Sequence, residues 1–252
     1  MPPYIWACYT RSVDIFTRIK DVRSKAYKGA VGARRERFCS EYSKALTQIH
    51  ANIHENAKNS LKEVISCKQG CSFCCYQHIG VMFAQGLLVV DYLYSHDQAL
   101  RNFINNYPRW HENVGDISDQ IDYAFRLAIR NPDPNELLSV VKSPLFQNYH
   151  DKQVPCPFLQ NAKCSIYEVR PACCAQHIAT SPNEWCSKSS TFKPITKEIP
   201  ISGGDTAKLM SLPYVSPSLL LLIFTLPTVT YKLLVNGLPH FLIEMGIEPV
   251  FV

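Results

Sequence analysis

From Arg34 to Ser66 the apolar residues recur at Phe38, Tyr42, Leu46, Ile49, Ile53, Ala57, Leu61 and Val64/Ile65. Steps of three and four put them on one helical face, and neither Pro nor Gly interrupts the run. Lys, Glu, Asn and Gln fill the other faces, so the spacing predicts an amphipathic helix about 50 Å long. It should end at Cys67-Lys68-Gln69-Gly70, where the glycine permits a turn.

Further along, Phe83 to Ser95 is mostly apolar and predicts a second helix. Gln98 to Asn106 predicts a short amphipathic helix ended before Pro108. Ile117 to Ile129 repeats the pattern, with Asp116 or Ser118 as N-cap and Pro132 as stop. Asn135 to Val141 should form a turn or two of helix begun by Asp133-Pro134. Pro155 to Pro171 reads as irregular, and Thr180 to Gly204 as loop with one short strand. From Ser216 onward two more helices are expected, broken at Pro227 and at Gly237-Leu238-Pro239. No strand–helix alternation appears, which argues against a parallel α/β sheet. The expected fold is mainly α, a helical domain with an irregular, cysteine-rich, metal-binding centre.

The chain has 252 residues, 46% hydrophobic and 19% charged, enough for one sizeable core and too apolar for wholesale disorder. Net charge is +5, unevenly spread: nine Lys/Arg against Asp14, Asp21 and Glu36 lie between Arg11 and Arg37. The expected organisation is a basic N-terminal extension over 1–33 and a single helical domain over 34–252. A nucleic-acid partner has only this leader in its favour and is not expected. Ser218 to Leu226 is the greasiest run, yet it is far short of the roughly 20 residues a membrane span needs. It reads as a buried core segment. Met1 to Val22 holds no unbroken apolar run, so no secretory signal is expected and the cytoplasm is the expected location.

The chemistry lies in eleven cysteines. In a reducing compartment, clustered cysteines are metal ligands before they are disulfides. Cys67, Cys71, Cys74 and Cys75 fall within nine residues, and Cys156, Cys164, Cys173, Cys174 and Cys186 form a second group. A CxxC pair such as Cys71 and Cys74 presents two thiolates to one ion on a single tight turn. The expected ligands are Cys67, Cys71, Cys74, Cys75, Cys156, Cys164, Cys174 and Cys186, with Cys173 as a spare. Eight thiols suffice for two tetrahedral zinc sites or for iron–sulfur clusters, and spacing does not separate the two. Cys8 and Cys39 stand apart and read as small buried hydrophobes.

Cys67-Lys-Gln-Gly-Cys-Ser-Phe-Cys-Cys75, Cys156-Pro-Phe-Leu159, Cys164-Ser-Ile-Tyr167 and Arg170-Pro-x-x-Cys174 together resemble the CxxCxxCC zinc- or iron-chelating family, which includes flagellin lysine N-methylases. The resemblance covers about Cys67 to Cys186. Ala175 stands where that pattern usually has Arg, and Cys173 is an addition. The resemblance implies a chelated metal, with iron–sulfur ahead of zinc. Its further implication is an enzyme that methylates lysine on a protein substrate with S-adenosylmethionine as donor. Cys67-x3-Cys71-x2-Cys74 also resembles the spacing of radical S-adenosylmethionine enzymes, although no β/α alternation follows it. Neither resemblance assigns catalytic residues.

Among neighbouring residues, His78 and His177 are expected near the centre without ligating, and His50 and His54 on the surface of the long helix. Tyr167 and Arg170 should support the site, the ring by packing and the guanidinium by bonding carbonyls or thiolates. No phosphate-binding glycine loop, GxSxG or HExxH occurs.

Overall fold

The computed structural model describes residues 14–61, 64–130, 133–187, 189–210 and 222–246. The fold is mainly helical. Helix α1 (Ile15–Ala26) leads into α2 (Gly29–Ser60), 32 residues and about 48 Å long. Phe38, Cys39, Tyr42, Ala45, Leu46, Ile49, Ile53 and Ala57 are its buried stripe. The helix stops at Ser60, short of the expected Ser66, and residues 64–68 have no regular secondary structure.

Helix α3 (Phe83–Ser95) is buried almost all round, with every residue from Phe83 to Val90 inside, as an apolar helix without a polar face must be. It packs against α2, against α4 (Asp97–Arg130) and against the last helix, α9 (Leu226–Glu244). Gly86 makes that last approach possible: a Cβ there would meet Val229 Cγ1 at 2.8 Å. Phe83 stacks on Phe241, and Tyr107 lies parallel to Tyr231 with centroids 4.0 Å apart.

Two expected breaks differ. Pro108 does not end a helix but sits exposed inside α4. The buried residues Phe103, Tyr107, Trp110, Val114, Ser118, Ile121 and Phe125 continue one stripe across it. Burial of that stripe outweighs the ~3 kcal/mol that an interior proline costs. Pro227 likewise starts α9, occupying the first turn where its missing N–H costs nothing. The break at Gly237 is real, with φ at 76°. Asp133 caps α5 (Pro134–Val141) as expected, accepting from the Asn135 N–H. Helix α6 (Pro144–Asp151) follows.

Strand content among the described residues is three two-stranded antiparallel sheets. Strand β1 (Gly80–Met82) pairs with β6 (Ile223–Thr225), β2 (Leu159–Gln160) with β3 (Lys163–Cys164), and β4 (His177–Ala179) with β5 (Thr196–Glu198). The short helices α7 (Ala172–Gln176) and α8 (Gly203–Met210) complete the described elements.

Of the basic segment, residues 1–13, including Cys8, lie outside the described residues. From Ile15 it is folded: Ile19 is buried, and Arg18 donates to the Val235 carbonyl and to Asn236 Oδ1. Of the Ser218–Leu226 run, residues 218–221 also lie outside, while Phe224, Thr225 and Leu226 are buried. No helix among the described residues is long and apolar enough to cross a membrane.

Candidate metal centre

The first cysteine segment is irregular because nothing in it has helical spacing. Ser66 donates its N–H to the Ala179 carbonyl, and the Ala179 N–H donates to Cys67 Sγ at 3.1 Å, so this strand end holds Cys67. Gly70, at φ 93°, then turns the chain, and the Cys71 N–H closes the turn on the Lys68 carbonyl. A single 3-10 turn, Phe73–Tyr76, carries Cys74 and Cys75.

The second segment comes to it. The Cys156 N–H donates to the Cys75 carbonyl at 2.7 Å, which joins the two segments backbone to backbone. A tight hairpin follows, its corner made by Asn161 and Ala162 at positive φ, and it returns Cys164 opposite Leu159. Cys186 ends another 3-10 turn, Asn183–Cys186, that packs on the Phe73–Tyr76 turn. Cys174 lies on α7.

The thiols fall into two neighbourhoods that share Cys74. Cys186 lies within electrostatic reach of Cys67, Cys71 and Cys74. Cys75 lies within reach of Cys74, Cys156 and Cys164, and Cys174 within reach of Cys74 and Cys156. Backbone N–H groups of other residues point at several of the sulfurs: Ala179 donates to Cys67, Phe158 to Cys156 and Ile166 to Cys164. Each such bond favours the thiolate. Burial works against it, pushing Cys156 up to about 12 and raising Cys67 and Cys164. Cys74 goes the other way: a hydrogen bond from Cys75 holds it down at about 7, and Cys75 is raised in return, as Cys174 lowers Cys173 and is itself raised.

Arg170 is the cation of the site. It favours the thiolates of Cys67, Cys74 and Cys164, and its guanidinium lies 3.9 Å from the Tyr167 ring centroid. The hydrogen bonds to carbonyls or thiolates expected of Arg170 are not seen from its Nε, which is buried with no partner among the described residues. The donor set is chemically suited to a soft metal, with many thiols, N–H donors to sulfur and one nearby cation. Even so, no three His, Cys, Asp or Glu side chains among the described residues converge closely enough to hold one ion.

Cys173 is exposed yet belongs to the same neighbourhood: its thiol lies against that of Cys174 and within reach of Cys74, with Sγ 3.6 Å from the Gly80 carbonyl. Cys39 is buried in the core, its thiol pushed up to about 11 by burial. One histidine differs from expectation. His50 is half-buried, not on the surface, and Arg170 lies beside it because α2 packs its buried stripe on the Tyr167–Val169 turn. Burial and Arg170 lower it to about 4. His54 is exposed. His78 is wedged between Phe146 and Tyr149, and its Nε2 lies 2.8 Å from Thr225 Oγ1. Burial holds it down at about 4. His177 starts β4, half-buried and paired with Glu198.

Sequence reasoning missed Asp122 and Thr225, the buried polar pair behind His78. The available signal was Ser118 and Asp122, polar residues four apart within an apolar stripe. Comparison with protein-family models, with curated proteins and with solved structures finds no match to this chain. The fold and site therefore define it only as a mainly helical protein with two cysteine segments drawn together at its centre.

Proposed function

We propose that this is a metal-binding protein whose two cysteine segments together hold an iron–sulfur cluster or zinc. The observation that carries this reading is the Cys156–Cys75 backbone bond, which brings thiols distant in sequence to one place. One ligand group is Cys67, Cys71, Cys74 and Cys186, and the other is Cys75, Cys156, Cys164 and Cys174. Bound metal would deprotonate these thiols and tie the chain after α2 to the Pro155–Cys186 segment. The sulfur-directed N–H groups and Arg170 would offset the thiolate charge.

A second reading is a protein lysine N-methyltransferase using S-adenosylmethionine, as in the flagellin methylases that the motif resembles. It rests on Cys67, Cys71 and Cys74, which come from one short segment, and it requires that Cys186, on its separate turn, stay off the metal. A group of three ligands from one nonapeptide could leave a fourth position for the cofactor.

Metal analysis with an absorption spectrum on anaerobically purified protein tests the first reading. Iron with broad visible absorption supports the cluster, and stoichiometric zinc supports the alternative metal. Neither metal, with every thiol open to a thiol reagent, removes the proposal. Calorimetry with S-adenosylmethionine on metal-replete protein tests the second reading, and absence of binding removes it.

A further inference from the structure

Among the described cysteines Cys173 alone is exposed; Cys39 and Cys156 are buried and the others half-buried. Its position follows from α7. Ala172 and Ala175, three residues apart, form the buried face of that short helix and leave Cys173 on the outer side. The thiol nonetheless stays in touch with the candidate centre. Its Sγ lies 3.6 Å from the carbonyl of Gly80, which starts β1 just after the first cysteine segment. The Cys174 thiol donates a hydrogen bond to it, and Cys74 is within electrostatic reach.

These two neighbours lead to both ligand groups. Cys174 belongs with Cys75, Cys156 and Cys164, and Cys74 is common to the two groups. A centre built from half-buried thiols needs an entry path. A soft metal held by thiolates passes from one site to another by exchange of one thiolate for the next, and the incoming thiolate must be accessible.

We propose that Cys173 is the entry ligand of the metal centre, taking metal from a small-thiol complex and handing it to Cys174 and Cys74. The inference rests on the metal-binding reading above. In the first exchange a bond from the metal to a donor sulfur breaks, one to Cys173 Sγ forms, and the Cys173 proton goes to the departing thiolate. Cys174 then replaces Cys173 on the metal and passes its proton to the Cys173 sulfur. The Cys174–Cys173 hydrogen bond already lies along that transfer. Cys74 and the other ligands displace the remaining donor thiolates in the same way, each proton going to the sulfur displaced. No electron changes hands.

The test uses the full, metal-replete chain, kept anaerobic and mixed with the glutathione complex of isotopically labelled metal, zinc or iron–sulfur cluster according to which the chain holds. Mass spectrometry follows the exchange. Cys173→Ser should keep the parent's metal content and Tm but exchange at least about tenfold more slowly, because a hydroxyl is a poor ligand for a soft metal. Loss of metal to EDTA, which draws it off without a thiolate, should be the same in both. Exchange at the parent's rate in the variant overturns the proposal. Equal slowing of the loss to EDTA overturns it too, since Cys173 would then act only on the shape of the site. If Cys173→Ser does not fold, the folded parent alkylated at Cys173 by iodoacetamide carries the same comparison. A parent that holds no metal removes the metal-binding reading, and this inference with it.

Discussion

Asp122 Oδ1 accepts two hydrogen bonds from Thr225, one from its backbone N–H and one from its hydroxyl, each at 2.7 Å. Both residues are buried, and they tie α4 to the β1–β6 pair. With the Thr225 hydroxyl proton directed at Asp122 Oδ1, Thr225 Oγ1 accepts from His78, an arrangement that puts the proton of the neutral ring on Nε2.

That pair predicts a pH dependence. Burial pushes the Asp122 carboxyl from 3.8 up to about 7, against the pull of the Thr225 bonds, with Asp119 adding to the rise and Arg126 opposing it. A carboxyl that holds its proton more tightly when folded stabilises the fold below pH 4 and loses that contribution as pH rises toward 7. His78, held near 4, acts in the opposite sense between pH 4 and 6.5. Comparing the parent with Asp122→Asn cancels the histidine. The variant keeps the acceptor for Thr225, so its stability relative to the parent should rise between pH 4 and 8 by up to about 4 kcal/mol. Urea unfolding at stepped pH measures it, and a constant difference contradicts the assignment.

The two thiol neighbourhoods predict separable losses. Cys67→Ala should lower metal content at the Cys186 group, and Cys156→Ala at the Cys75 group, each leaving part of the metal in place. Cys39→Ala is the control, because its buried thiol faces the core: metal content should be unchanged, with a packing cost of about 1 kcal/mol. Elemental analysis of the three variants checks this. Chelation should lower the Tm of the parent, since bound metal stabilises only the folded chain.

The close approach of α3 and α9 predicts an overpacking defect. Gly86→Ala places a methyl 2.8 Å from Val229 Cγ1 and should cost about 1–3 kcal/mol. Adding Val229→Ala removes the clash, so the double variant should be less destabilised than the sum of the two single changes. Chemical denaturation of the full cycle gives the coupling.

Pro108 predicts the reverse. It is exposed inside α4, so Pro108→Ala restores an N–H to the helix without disturbing the buried stripe. Stability should rise by about 1–2 kcal/mol, the helical gain less the added freedom of the unfolded chain. A fall in the denaturation midpoint would show that the proline shapes α4 in a way the packing requires.

Much of the fold was legible along the chain because helices declare themselves locally. The stripe of α2, the apolar run of α3 and the Asp133 cap of α5 each depend on residues within a few turns. Pro108 and Pro227 misled for the same reason: a local rule was applied where distant burial decided. Half of the candidate centre was legible too, since cysteine spacing is a local signal. The meeting of its halves depends on the Cys75–Cys156 bond, which spacing does not encode.

The sequence by itself determined a helical domain and the pool of thiols from which a metal centre can be drawn, because periodicity and ligand type are properties of short segments. Only the tertiary structure decided that those thiols share Cys74 and that Arg170 faces them. It alone put Asp122 behind Thr225 and buried Arg35 against the Tyr27 and Tyr94 rings. Those are relations between side chains on different elements, and they arise only when apolar surfaces close on one another and take water from the polar groups between them.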